Sequence, residues 1–166
     1  DPAFMAPGAY DHRWVESRED VLVYSTPPLD QDIEVTGPII VTLYATTSAN
    51  DTDFSAKLVD VYPDGYARNL TDGIIRARYR RSRNAAELIQ PGQVYEYTID
   101  LWATSNLFKK GHRIRLDITS SDFPNFNRNH NTGGDDYRET TLETASQVIY
   151  HDSKYPSSVI LPVIPQ

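Results

Sequence analysis

The sequence predicts an all-β protein, a jelly-roll β-sandwich with at most short helical turns, and three observations predict it. Eight or more short stretches alternate apolar and polar residues with period two, the pattern of a strand with one buried and one wet face. Glycine and proline, 8 and 11 residues, close these stretches one after another, as turns between strands require. No stretch holds a helical stripe over three turns, and tyrosine outnumbers methionine 11 to 1, a usage suited to pleated, half-buried surfaces. Many short strands punctuated in this way argue for a sandwich or a jelly roll.

In chain order, residues 1–19 show no sustained period and are broken by Pro2, Pro7 and Gly8. They read as a lead-in, with the folded domain over residues 20–166. Val21 to Ser25 is a short β-rich run closed by Thr26-Pro27-Pro28. Glu34 to Thr36 and Ile39 to Thr46 follow as two runs split by Gly37-Pro38. Asp53 to Tyr62 puts Phe54, Ala56 and Leu58 on one face and Ser55, Lys57 and Val59 on the other. Pro63-Asp64-Gly65 is a turn, since proline presets the bend and glycine accepts positive φ, and Ala67 to Leu70 pairs back as a hairpin. Gly73 to Arg80 alternates again, with Arg76, Arg78 and Arg80 on its polar face. Ala85 to Ile89 and Thr141 to Gln147 each read as a helical turn, and Gln93 to Leu101 as a clean strand. Asn106 to Gly111 reads as a turn, after which Arg113 to Thr119 alternates strictly, with Ile114, Leu116 and Ile118 inward. Val148 to Tyr150 and Ser158 to Val163 close the fold.

Between the central strand and the closing strands lies a long polar segment, Ser120 to Glu139, with aromatics at Phe123, Phe126 and Tyr137. A loop of that length in a small domain is functional, an interface or disordered, and clustered aromatics argue against disorder. Its Asn127-Arg128-Asn129-His130-Asn131 run reads either as a binding surface or as a loop that hydrogen-bonds its own backbone.

At 166 residues the chain fits one domain that buries its core without staples. No window approaches the roughly 18 apolar residues of a membrane span, so no membrane partner is expected. A net charge of −7 disfavours nucleic acid, whose binding rests on basic surface. With no cysteine, disulfides and thiolate chemistry are both excluded. The opening Asp1-Pro2-Ala3 in place of a start methionine leads us to expect a piece of a longer protein, and the lack of a targeting segment leans towards the cytoplasm.

The catalytic inventory is thin. No serine sits in the G-x-S-x-G elbow that exposes a nucleophile on a strained strand-to-helix turn, and no spacing assembles a triad. His12, His112, His130 and His151 are far apart, without the paired-histidine spacing of a helical zinc site. They read as surface or hydrogen-bonded structural histidines, and no metal or cofactor is expected. Asp51 and Asp53, Asp60 and Asp64, and Asp135 and Asp136 are carboxylate pairs of the kind that serve glycoside hydrolysis or calcium loops, although strand ends and turns collect Asp for local hydrogen bonds. The arginine stripe Arg76, Arg78, Arg80, Arg81 and Arg83 reads as a solvated face paired with Asp and Glu, or as an ionic contact with another domain. Phe4, Met5 and Trp14 are costly to leave in water and should meet a partner or the domain's own flank.

From Gly8 onward the sequence resembles the C-terminal β-sandwich of the serine hydrolases that include X-Pro dipeptidyl-peptidases, bacterial cocaine esterase and α-amino-acid ester hydrolases (the CocE/NonD type). The resemblance rests on DVLVYSTPPL (20–29), EVTGPI (34–39), DTDFSAKLVDVYPDG (51–65), DGIIRARYR (72–80), PGQVYEYTIDLWATSNLFKKGHRIRLDI (91–118), SSDFPNFNRNHNTGG (120–134) and VIYHDSKYPSSVILPVIP (148–165). It implies a galactose-binding-domain-like jelly roll that packs on an α/β-hydrolase domain and a helical cap of the same chain. It further implies an oligomeric parent whose Ser-His-Asp triad lies in the preceding domain. No catalytic residue of the family falls on this chain, and His12 stands where relatives often carry Gln. The implied packing or substrate-pocket surface is Phe4, Met5, Phe123, Phe126, Asn127, Asn129 and Asn131. A carbohydrate-binding module using loop aromatics and amides is the alternative.

Overall fold

The computed structural model describes residues 9–165, so Phe4 and Met5 lie outside the described residues. A short helix, α1 (Arg13–Glu16), precedes eight strands: β1 (Leu22–Ser25), β2 (Ile33–Thr47), β3 (Asp53–Val61), β4 (Ala67–Arg76), β5 (Tyr95–Phe108), β6 (Arg113–Thr119), β7 (Gln147–Tyr150) and β8 (Ser158–Ile160). They form two antiparallel sheets, β1-β6-β3-β4 and β5-β2-β7, with β8 also on β2, so the fold is the expected all-β sandwich. No described helix is long and apolar enough to cross a membrane.

Alternation builds the core. Phe54, Ala56 and Leu58 of β3 and Ile118 of β6 face Val41 and Leu43 of β2 and Tyr97, Ile99 and Leu101 of β5. The Phe54 and Tyr97 rings pack at 4.8 Å between centroids. The β3–β4 hairpin turns as expected: Asp64 Oδ1 accepts the Tyr66 N–H at 3.0 Å, and Gly65 takes φ +89°.

Several boundaries differ from the expectation. Gly37-Pro38 does not split a strand, because β2 runs through it and β5 supplies an irregularity opposite. The register passes from Pro38↔Ala103 to Ile40↔Asp100, so Leu101 and Trp102 together face Ile39. That extra residue is a β-bulge. Trp102 there adopts φ +62° with its N–H donated to Asp100 Oδ1 at 2.8 Å. Asn106 to Phe108 is strand rather than turn, since Ile33↔Phe108 extends the pairing and buries Phe108. The Gly73 alternation ends at Arg76, where a 3₁₀ turn, Ala77–Tyr79, takes over. Ala85 to Ile89 is not helical, because Glu87 and Ile89 give their N–H groups to the carbonyls of Arg78 and Asn50. Thr141 to Ser146 is likewise non-helical, with Ser48 and Ser146 tied to each other.

The sandwich is closed along one edge and open along the other. At the closed edge β4 meets β5 so tightly that a Cβ at Gly73 would lie 2.1 Å from the Asp100 carbonyl oxygen, and Thr71 donates its hydroxyl to the Leu101 carbonyl. At the open edge a cleft of about 320 Å³ separates β1 and β6 from β7 and β8, lined by Val41, Leu43, Leu58, Leu116, Ile149 and Val159 among others.

The outer face of β3 is not wet, and all nine of its residues are buried. Residues after Tyr10 run over it. The His12 N–H donates to the Ala67 carbonyl of β4 at 2.7 Å, and the His12 ring meets Asp117 of β6.

Gly73→Ala forces a Cβ against backbone that cannot move aside, and is expected to cost at least about 1–3 kcal/mol in urea denaturation. Burial raises the Tyr97 phenol above its ordinary value of 10.0 against a partial pull from Arg80, and its hydroxyl has no partner. The folded state therefore holds this proton more tightly than the unfolded chain. The resulting stability is full below the ordinary value and falls as the pH climbs through the folded one. Tyr97→Phe should change stability at neutral pH by less than about 1 kcal/mol and remove that alkaline fall. Urea melts of both proteins at neutral and alkaline pH check it, and an equal fall in the variant assigns the effect to another group.

Candidate functional site

The long loop does not float. Asp53, the first residue of β3, and Asp51, two positions before it, face Arg76, the last residue of β4, and Arg78 in the 3₁₀ turn that follows, because β3 and β4 pair with Asp53 opposite Arg76. Arg76 donates Nε to Asp53 Oδ1 at 2.9 Å and Nη2 to Asp53 Oδ2 at 3.0 Å, a two-pronged grip on one carboxylate. Arg78 gives its backbone N–H and its Nε to the two oxygens of Asp51, at 2.8 and 2.6 Å. The loop then closes on this ladder. Arg76 also binds Asp136 and, through Nη2, the Asn127 carbonyl at 3.3 Å, while Arg78 Nη1 reaches the Gly134 carbonyl at 2.9 Å.

Asn129 is the clasp. Its Nδ2 donates to Asp51 Oδ2 and to Asp53 Oδ1, both at 2.8 Å, and its Oδ1 accepts the Asn131 N–H at 2.8 Å. Asn131 Nδ2 in turn donates to the Glu143 carbonyl at 2.7 Å. The Asn129 amide is thus turned inward with both its edges occupied, and the Asn131 amide nitrogen is tied to the backbone. Burial pushes the Asp53 carboxyl up, while the bonds from Arg76 and Asn129 pull it back. The Asp53 contact raises Arg76 against its own burial.

The arginine stripe therefore finds its acidic partners, but Arg76, Arg78 and Arg80 are not on a solvated face. Arg80 lies under the surface at 4.4 Å from the Tyr95 ring centroid and grips the Glu87 carboxylate at 2.8 Å. Arg81 shares Glu87 in the open, and Arg83 is exposed. Asp60 pairs with His112 at 2.8 Å, Asp64 and Asp135 cap turns, and His151 sits at the open cleft edge-on to Tyr24. These positions answer to local structure.

What the anchored loop displays is aromatic. Phe123 is 57% exposed with Arg128 over its ring at 4.6 Å, Phe126 is 45% exposed and Tyr137 88%. Phe126, Tyr137, Tyr79, Asn125 and Asn127 rim an open groove of about 420 Å³ whose floor includes Asp53 and Arg76. The structure thus gathers Phe126 and Asn127 at one groove, keeps Asn129 and Asn131 beneath it, and leaves Phe123 on the neighbouring flank. The sequence gives Tyr79 no mark of a site residue, because its place at this groove depends on the 3₁₀ turn that ends β4. Trp102, 75% exposed on the bulged edge strand, had no signal beyond its size.

Comparisons with known proteins agree with this architecture. The model of the X-Pro dipeptidyl-peptidase C-terminal non-catalytic domain matches residues 1–160. Cocaine esterase of Rhodococcus sp. (strain MB1 Bresler) is 48% identical over 159 residues, which is 95% of this chain and 28% of that protein. Among solved structures, an aminopeptidase from a marine sediment Thaumarchaeota archaeon superposes with a TM-score of 0.91 at 32% identity, over 99% of this chain and 30% of its own. An α-amino acid ester hydrolase gives the same TM-score and identity over 94% of this chain and 27% of its own. The chain thus spans less than a third of the length of each of these relatives.

Removing one member of the ladder leaves a buried charge without its partner. Arg76→Ala is expected to cost about 3–5 kcal/mol and to release the loop, read as lost hydrogen-exchange protection over residues 127–139. Protection retained at the wild-type level would show that the ladder does not hold the loop.

Proposed function

The chain belongs to the family of X-Pro dipeptidyl-peptidase C-terminal non-catalytic domains, and we propose that it serves a serine hydrolase acting on acyl esters or X-Pro peptide bonds. Its task is to pack on the α/β-hydrolase and cap domains of the same parent chain and form part of the wall of the substrate pocket. The nucleophilic serine, its histidine base and the backbone oxyanion donors belong to that other domain. Residues 1–19 act as the lead-in from it, and residues 20–166 as the sandwich.

The observation that carries this reading is a rigid loop with wet rings. Phe123, Phe126 and Tyr137 stand in water on a segment that buried ion pairs immobilise. Clustered exposed aromatics mark a contact surface, and a surface already ordered loses little entropy on docking. Phe4 and Met5, outside the described residues, belong to the same proposed face, with Asn127, Asn129 and Asn131 as its support. Contacts within a homo-oligomer of the parent are a second part of the proposal, supported by Trp102 standing exposed on an edge strand.

Alone, the domain is expected to self-associate in sedimentation and to hydrolyse a p-nitrophenyl ester only at the background rate. Added to a separately expressed hydrolase domain it should bind. Phe126→Asp should weaken that binding about 30-fold, the loss of one central anchor of ~2 kcal/mol. Ester turnover by the domain alone, or binding indifferent to Phe126 and Phe123, sinks the reading. Glycan binding lost with Phe126→Ala would revive the carbohydrate-module alternative.

A further inference from the structure

A second cluster of chemistry lies on the opposite flank of the loop, where the lead-in crosses the outer face of the β1-β6-β3-β4 sheet. His12 caps α1 and Glu16 ends it, four residues on, so both lie on one face of the turn. Strand alternation in β6 brings Asp117 up beneath them. One ligand-type atom from each of the three falls within 4.8 Å of the other two. His12 Nδ1 and Asp117 Oδ2 are 3.1 Å apart, the span of two ligands that each sit ~2.0–2.2 Å from a shared ion.

The cluster is buried and incompletely satisfied. The His12 and Asp117 side chains are 2% and 1% exposed, and that of Glu16 is 9%. Glu16 Oε2 accepts from Arg115 Nη1 at 2.6 Å, yet Oε1 has no partner; Asp117 Oδ2 meets His12, yet Oδ1 has none. Such oxygens are expensive to leave bare inside a protein. A cavity of about 50 Å³ adjoins the pair, lined by His12, Asp117, Lys57 and Thr119, whose hydroxyl is also unpartnered. It has room for a water molecule.

Asp117 and Asp122 line the cavity, and its Lys57 is held by Asp122 at 2.7 Å and lies 3.9 Å from Asp72, while Arg115 is engaged by Glu16. Arg18, at the rim, is taken by Asp20.

We propose that His12, Glu16 and Asp117 form a site for a divalent transition-metal ion of the zinc class, with a water from the adjoining cavity as fourth ligand. One imidazole nitrogen and two carboxylate oxygens suit zinc better than calcium or magnesium, which favour all-oxygen shells. The ion staples the lead-in to β6 and so fixes the direction in which the chain enters the sandwich. Its role is structural.

Titration of the 166-residue chain with zinc, followed calorimetrically, should give one site per chain and a rise in Tm that grows with free zinc. Cobalt in its place should give the visible absorption of a low-coordinate N/O site. His12→Ala and Glu16→Gln should each weaken zinc about 100-fold or more while circular dichroism stays that of the parent. Because the buried Asp117→Asn variant is open to misfolding, the ¹⁵N signature of the His12 ring serves as the second readout. Metal-bound Nδ1 at saturating zinc supports the site. No stoichiometric zinc, zinc affinity unmoved in both variants, or His12 ring nitrogen signals unchanged at saturating zinc overturns it.

Discussion

The interaction on which the visible architecture turns is the double clasp between Asp51 and Asp53 at one end of β3 and Arg76 and Arg78 at the end of β4. Four charged residues so deeply placed are tolerable only because each carboxylate meets a guanidinium in a fixed geometry and further donors take up the remaining lone pairs. That condition shapes everything nearby. It stops β4 as a strand, throws the chain into the 3₁₀ turn, and leaves enough guanidinium N–H to capture Asp136 and the carbonyls of Asn127 and Gly134. A loop too long to order itself is thereby given a floor, and its aromatic rings are presented outward rather than folded into the core.

The asymmetry of the sandwich complements this. Where β4 and β5 touch, glycine and a threonine hydroxyl let two backbones meet across the layers, and the sheets behave as one curved surface. On the far side the same sheets part, and apolar side chains line a cleft rather than interdigitate. The charged clasp belongs to the tight half of the domain, at the Arg76 end of β4. The displayed rings are accordingly mounted on the stiffer part of the fold.

Much of the fold was legible from period two alone. Strict alternation in Arg113 to Thr119 located β6 to the residue, and Pro63-Asp64-Gly65 located the hairpin. What failed were places where tertiary pairing overrides local grammar. Gly37-Pro38 looks like a break, but a bulge on the partner strand absorbs it. The weak helical signals at Ala85 to Ile89 and Thr141 to Gln147 lost to backbone hydrogen bonds from distant segments. The wet faces assigned to β3 and β6 are covered because distant segments without a pattern of their own lie across them: His12 of the lead-in on Asp117, Asn129 and Asp122 of the long loop on Asp53 and Lys57, and His112 on Asp60. At the site, the Asn-rich run showed its polarity but not its direction. Whether Asn129 faces a ligand or two buried aspartates depends on contacts more than 70 residues away in sequence. His12, Glu16 and Asp117 show the same limit, since only the crossing of the lead-in makes neighbours of the two ends of that set.

The placement of the two indoles has an optical consequence. Trp14 and Trp102 are both about half exposed or more in the native domain, so unfolding is expected to shift their fluorescence less than it would that of buried indoles. Covering either ring would move its emission to shorter wavelength. The intrinsic emission of this domain is therefore expected to report whatever comes to lie against Trp102 more strongly than its own melting.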